Sequence, residues 1–469
     1  MTMTTSGGAS NQLAQGFKPR HVTMLSIAGV IGAGLFVGSG HAIAMAGPAA
    51  IVAYALAGTL VVLVMRMLGE MAVASPDTGS FSTYADRAIG HWAGFTIGWL
   101  YWWFWVLVIP IEAIAAGVVL NNWFPQVEPW LFALSMTVLL TATNLFSVAK
   151  YGEFEFWFAM LKVIAIVAFI GLGLAALLGV LPGRQVSGLQ QLLGLHGGFM
   201  PNGWTAIIGA LLTTMFSYLG TEAVTIAASE SKDPARNIAR ATRSVIWRIS
   251  VFYLLSIFVV ISVVAWNDPL LPVQGSFQRA LEVMQIPYAK FMVDLVVLVA
   301  VASCLNSSVY ISSRMLFSLS KRGDAPGFIH RTSKAGVPRA AVIASTLIGM
   351  LATLVNFFAP AQVFSFLLAS SGSIALLVYL VIAFSQLRMR ALLERQNSEI
   401  ALRMWLYPWL TWAVIVFIIF ALGVMFVMPQ HRLEVSLTLA LATGILLLGV
   451  RNSRRHARGR PLAAVAQTG

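Results

Sequence analysis

The sequence predicts an all-α membrane protein of twelve transmembrane helices. Three observations carry this. Of the 469 residues, 58% are hydrophobic and only 10% charged, where a soluble chain carries about 25% charged residues. Mean hydropathy is +0.82. Apolar runs long enough to cross a bilayer recur along the whole chain.

The runs lie near 21–44, 46–72, 93–121, 128–148, 154–180, 203–229, 244–266, 288–320, 339–358, 362–386, 404–428 and 432–450. Residues 1–17 are small and polar and read as a disordered tail. "HAIAMAG" at 41–47 mimics a cleavage site behind an apolar stretch. The glycine-dense run before it is a poor signal core, so it is read as part of the mature protein. "FSTYADRAIGHW" at 81–92 is expected to form an interfacial helix between spans two and three.

Charge sets the orientation. Of the 30 Lys and Arg residues, only Arg184, Arg279, Lys290 and Arg432 fall in one alternate set of loops. The rest, Lys162 aside, fall in the other set, which is therefore expected to be cytoplasmic together with both termini. The net charge of +13 is thus explained by the membrane, and no nucleic-acid partner is expected. The tail 451–469, with "RNSRRHARGR", reads as a positive-inside anchor on the lipid bilayer.

Several chemistries lack their machinery. A single cysteine, Cys304, rules out an intramolecular disulfide and a Cys-rich metal site. There is no HExxH and no Gly-Lys dipeptide, hence no zincin site and no P-loop. No metal, no cofactor and no enzymatic activity are expected. A channel is disfavoured because no filter-like loop or ring of charge is apparent.

Two spans carry features a membrane helix should avoid. The first reads "GVIGAGLFVGSG" over 29–40, although glycine costs a helix about 1 kcal/mol relative to alanine. Backbone at bilayer depth leaves the helix only where protein or water satisfies its polar groups. A break here would aim the amides of Ala33 and Gly34 at a carboxylate. Tight packing through the Gly34–Gly38 step explains the same residues equally well. The sixth span, "MFSYLGTEAVTIAASES", tips the balance, because Ser217, Gly220 and Glu222 interrupt an apolar helix. A glutamate at that depth costs several kcal/mol unless paired or protonated, which makes it a functional candidate. Breaks in spans one and six occupy equivalent positions if helices 1–5 (18–180) and 6–10 (203–389) are inverted repeats, followed by two extra helices (403–450). That pairing points to the binding site of a secondary transporter.

Lys162 in "WFAMLKVIAIVAF" is the one Lys or Arg inside a span and away from its ends. It lies roughly 12 Å from the start of span five. Snorkelling and function both fit. Glu112, in "VIPIEAIAAG", is read as a proton-pathway residue, as a partner for a substrate ammonium, or as a structural pair. Ser303, Asn306, Ser307 and Tyr310 share one face of span eight beside Cys304. They read as interhelical glue or as the polar neighbours of Lys162, with Ser303 or Ser307 favoured. Arg66 and Glu70 have the i,i+4 spacing of a local ion pair. "WLYWWFW" at 99–105 reads as an interfacial aromatic belt and packing surface, with Tyr101 or Trp105 available to a pocket.

Several stretches resemble the amino acid–polyamine–organocation superfamily in its bacterial amino acid permease branch: "HVTMLSIAGVIGAGLFVGSG", "GEMAVASPDTGSFSTYA", "GWLYWWFWV" and "SRMLFSLSKRGDAP". "YGEFEFW", "SVIWRIS" and "RMWLYPWLTW" are similar to γ-aminobutyrate (GABA) permeases. The resemblance runs from about Phe17 to about Val450. It implies a LeuT-type fold with a 5+5 inverted repeat plus two helices, and proton-coupled uptake of a small zwitterionic amino acid, GABA, by a monomer in the bacterial inner membrane. It further implies that Gly32, Ala33 and Gly34 offer amides to the substrate carboxylate, while Val30 and Ile31 offer carbonyls to its amine. Phe216 matches an aromatic gate, Ser217, Leu219 and Gly220 an unwound segment, and Glu222 the acid behind it. Lys162 matches the residue standing where sodium-coupled relatives bind Na⁺, which makes it the expected proton-coupling group. A permease or exchanger for another amino acid, basic or aromatic, is the alternative.

Overall fold

The computed structural model describes residues 20–459 except 21–23, 25–30, 78–79, 147, 182–185, 187, 219, 230–232, 287, 334, 356–359 and 397–399. Val30 and Leu219 lie outside the described residues. Among the described residues the chain is helical throughout, and nine helices are long and apolar enough to cross a membrane.

The first span is irregular at Ile31 and Gly32, winds as a π-helix over Gly34–Gly38 and continues as α1 (Ser39–Ala46). Gly47, at φ +68°, turns the chain through a short 3₁₀ step into α2 (Ala50–Ala74). The amide of Ala49 in that step donates to the carbonyl of Phe199. The interfacial segment is helical as expected, as α3 (Ser80–Ala88), and buries Phe81, Tyr84 and Ala85. Then follow α4 (His91–Trp123), α5 (Pro129–Asn144) and α6 (Val148–Leu177).

Span six is two pieces, α7 (Gly203–Tyr218) and α8 (Ala223–Ser229). Next comes α9 (Pro234–Arg248), whose first turn is capped by the Asp233 side chain accepting from the Arg236 amide. It runs through a π segment, Ile249–Leu255, into α10 (Ser256–Val263). The remainder is α11 (Ala289–Lys321), α12 (Arg339–Val355), α13 (Pro360–Arg395), α14 (Trp409–Val427) and α15 (Arg432–Gly459).

Two inner helices of 33 residues each, α4 and α11, pack along much of their length and form the axis of the bundle. α4 buries 24 of its residues almost all round, which is the pattern of a helix enclosed by others. The outer helices instead leave Leu139, Trp157, Ile164, Trp247 and Trp409 exposed, a lipid-facing coat of apolar and aromatic side chains.

The run Trp99–Trp105 serves as a packing surface and not as an interfacial belt: Tyr101, Trp102, Phe104 and Trp105 are buried, because α4 carries them into the centre of the bundle. Arg66 and Glu70 do not pair. Glu70 accepts from Gln386 Nε2 at 2.9 Å, Arg390 Nη1 at 2.7 Å and the Met404 amide at 2.5 Å. Arg66 turns to the Arg403 carbonyl at 2.7 Å and lies over the Trp405 ring. The carboxylate is 1% exposed, and burial favours the fully satisfied tertiary cage over a solvated local pair.

The end bearing the basic loops is tied together by His91. Its Nδ1 contacts Asp86 at 2.8 Å and its Nε2 contacts Asp324 at 2.9 Å. Asn452 of α15 donates to the same Asp324 at 3.0 Å.

Candidate functional site

The site is built where the two interrupted spans meet. Gly34 has no side chain for a physical reason: a Cβ there would stand 2.7 Å from the Ser217 Cα, which is main chain and cannot step aside. Close approach lets the Ser217 hydroxyl donate to the Gly34 carbonyl at 2.7 Å, with the Tyr54 hydroxyl 3.2 Å away on the other side. Gly220 takes φ +92°, a conformation that strains any residue with a Cβ, and so turns the chain between α7 and α8.

Several backbone groups released by the turn find partners among the described residues. The Ser217 carbonyl accepts from Tyr253 at 2.9 Å and the Tyr218 carbonyl from Thr221 at 2.7 Å. The Gly220 amide donates to Glu222 at 3.0 Å. Glu222 also accepts from Tyr379 at 3.3 Å, and Tyr101 contacts it. Its carboxylate therefore holds the break from behind. It does not line the pocket.

In the first span the Ala33 amide is occupied. It donates to both oxygens of Glu112, at 2.9 and 3.2 Å. Gly32 makes this possible, since a Cβ there would stand 2.5 Å from Glu112 Oε1 and 2.7 Å from the Cys304 Cβ. The amide of Ala33 thus already holds a carboxylate, the protein's own. Around it lie Gly34, Phe104, Trp105, Phe216, Ser217 and Cys304, enclosing a cavity of about 10 Å³, room for about one water. A larger cavity of about 320 Å³ opens further along α4, between Val37, His41, Ile114, Gln278 and Phe364. It lies at the end of the bundle away from the basic loops and is lined mainly by apolar groups.

Lys162 is fully buried. The residue that meets it was not singled out from the sequence: Glu155, two turns earlier on the same helix, with Nζ 3.9 Å from Oε1. Ser303 donates to that same oxygen at 2.5 Å, and Ser307 also reaches the carboxylate. The two serines favoured as neighbours of Lys162 therefore gather at its partner. Asn306 departs from them. It accepts from Asn144 at 2.6 Å and Thr143 at 3.3 Å on α5, as interhelical glue, because three residues and four residues along a helix diverge in direction. Tyr101 lies behind the pocket against Phe81 and Phe104. Among the described residues no group of His, Cys, Asp and Glu is arranged to hold a metal ion.

The family model for amino acid permeases matches residues 21–452. The chain belongs to the amino acid permease family. This permease is 71% identical over 446 residues to a protein of Pseudomonas aeruginosa named as a probable GABA permease, covering 95% of this chain and 94% of that one. It is 60% identical to a γ-aminobutyric acid permease of Escherichia coli K12, over 94% and 93% of the two chains. For the γ-aminobutyric acid permease of Bacillus subtilis the figures are 48% and 96% of each. Among solved structures, the fold is similar to that of an Eremococcus coleocola manganese transporter, with TM-score 0.54 at 15% identity over 97% and 98% of the chains. That likeness speaks to the fold alone. The permease is accordingly a multi-pass membrane transporter and not an enzyme.

Glu155 carried a sequence signal that went unread. It sits in "YGEFEFW", seven residues before the buried lysine, on the same helical face.

Proposed function

We propose that this permease is a proton-coupled symporter that imports γ-aminobutyrate across the bacterial inner membrane by alternating access. In this reading twelve helices form a LeuT-type 5+5 inverted repeat plus two, with both termini cytoplasmic. The observation that carries it is the carboxylate of Glu112 on the Ala33 amide. A cradle that holds one carboxylate between the interrupted spans is chemically suited to another. The relatives named for GABA, at 71%, 60% and 48% identity, support the substrate over an aromatic amino acid, whose named transporter in Corynebacterium glutamicum stands at 39%.

The mechanism follows from competition. An ionised Glu112 is a strong acceptor for the Ala33 amide, and protonation weakens that bond. Protonated Glu112 leaves the cradle and the GABA carboxylate takes its place at Gly32, Ala33 and Gly34. The ammonium of GABA lies farther from its carboxylate than in an α-amino acid. It therefore reaches past Ile31 toward Ser217 and Gly220, under Phe216, and toward Glu112 itself. Proton and substrate load together because each is needed to displace the internal carboxylate. Lys162 senses the state of the site and passes the proton on.

The test is uptake by the purified permease in proteoliposomes. An inward proton gradient should concentrate labelled GABA, with unlabelled GABA competing better than any α-amino acid. Uptake indifferent to the gradient removes the symport reading, and stronger competition by an aromatic or basic amino acid removes the GABA assignment.

A further inference from the structure

Glu155 and Lys162 make an unusual ion pair. Both are fully buried in α6. They lie two turns apart, a rise of about 10 Å, so the lysine stem folds back along its own helix to bring Nζ within 3.9 Å of Oε1. The pairing is incomplete. Ser303 donates to Oε1, while Oε2 is buried without a hydrogen-bond donor among the described residues. A structural ion pair inside a bilayer is stable only when every lone pair is satisfied. An acceptor one donor short is instead a place for one more proton.

The position of the pair gives that proton a direction. α6 begins at Val148 beside the basic loops, so Glu155 stands between Lys162 and that end of the molecule. On its other side Lys162 feels the charge of Glu112 from α4 and faces Cys304 from α11. Near this end of α6, Arg20 pairs with Glu153. α10 sets the apolar Val259 against Gly173. Glu112, Lys162 and Glu155 therefore form a buried series from the Ala33 amide toward the basic-loop end, with Ser303 holding Glu155 by Oε1.

We infer that Glu155 is the release carboxylate of proton coupling: it takes a proton from Lys162 and delivers it to water at the basic-loop end. The step balances. The N–H bond of the Lys162 ammonium breaks and an O–H bond forms on the Glu155 carboxylate, turning an ion pair into a neutral amine and a neutral acid. When the inner gate admits water the acid ionises, the proton leaves, and Lys162 is recharged by the proton that entered at Glu112. The inference rests on the proton-symport reading above, and its test separates the two.

The experiment uses the full-length permease in proteoliposomes, measuring labelled GABA accumulation under a proton gradient, GABA counterflow without one, and the dependence of accumulation on internal pH. Glu155→Gln should lower gradient-driven accumulation at least about tenfold and flatten the internal-pH profile while counterflow persists. Glu155→Asp, which restores a carboxylate, should recover accumulation with a displaced profile. Ser303→Ala, which strips a donor from Oε1, should move the midpoint of the profile by about one pH unit toward alkaline values. A Glu155→Gln permease that accumulates GABA with the profile of the unaltered protein overturns the inference. If Glu155→Gln also abolishes counterflow, Glu155→Asp and Ser303→Ala decide: unmoved profiles overturn it and displaced ones uphold it. An unaltered permease that ignores the gradient overturns the symport reading itself, and this inference with it.

Discussion

The Glu112 carboxylate lies 2.9 Å from the Ala33 amide nitrogen, with its second oxygen at 3.2 Å. The side chain of one membrane helix thus closes the broken end of another. A charge-assisted bond of this kind contributes about 1.5–3 kcal/mol, which a substrate must match before it can enter. Glu112→Gln keeps the shape and removes the charge. The expected outcome is a half-saturation concentration for GABA lowered by about tenfold to a hundredfold, one tenfold step per 1.4 kcal/mol, together with loss of gradient-driven accumulation. Saturation curves and accumulation ratios in proteoliposomes check both; unchanged values for each would remove Glu112 from the cycle.

Gly34 is a packing requirement. Gly34→Ala sets a methyl 2.7 Å from the Ser217 Cα, so the interrupted spans must separate. The expected cost is about 1–3 kcal/mol of overpacking, read as a lowered thermal midpoint in detergent and a loss of uptake. Gly423, around which a Cβ would meet nothing within 4 Å, is the control: Gly423→Ala should change neither.

The Glu70 cage is a stability element. Glu70→Gln leaves Arg390, whose side chain is 9% exposed, without its buried counter-charge, while Glu394 still contacts its Nε. Breaking a buried pair from one side costs about 3–5 kcal/mol. Thermal unfolding of the variant should show a large drop, and the double variant Glu70→Gln with Arg390→Met should recover part of it. No recovery would mean that the cage acts through Gln386 and the Met404 amide.

His431, in the loop between α14 and α15, is 5% exposed, and neither ring nitrogen has a hydrogen-bond partner among the described residues. Burial lowers its pKa from the usual 6.5, against the opposing pull of Glu434. The unfolded chain then binds a proton more readily than the folded one, so stability rises with pH. The contribution is complete above 6.5 and is lost as pH falls from there toward the depressed folded value. His431→Gln should flatten the acid side of a stability–pH curve; a curve that stays equally steep would assign the acid sensitivity elsewhere.

What the sequence made legible, and what it did not, divides along the range of the forces involved. Spans, the interfacial helix at Ser80–Ala88 and the interruptions at Gly32–Gly34 and Gly220 are written locally, in apolar runs and in residues that no regular helix favours. Lys162 was legible because an ammonium in an apolar run has no local explanation. Its partner was not, since Glu155 stands at the very start of the span, where an acid near the water interface is ordinary. Glu70 misled for the complementary reason. Arg66 is its neighbour by spacing, yet its true partners lie 316, 320 and 334 residues away in the chain. The aromatic run at Trp99–Trp105 has the same composition in a belt as in a core, and only the enclosure of α4 by its neighbours distinguishes them.

The hydroxyl of Ser217 joins the two interruptions through the Gly34 carbonyl. Neither can relax without tugging at its counterpart, so the pair behaves as one latch, sprung or shut as a unit. Opening one segment alone forfeits that bond, about 0.5–1.5 kcal/mol, which favours their moving together.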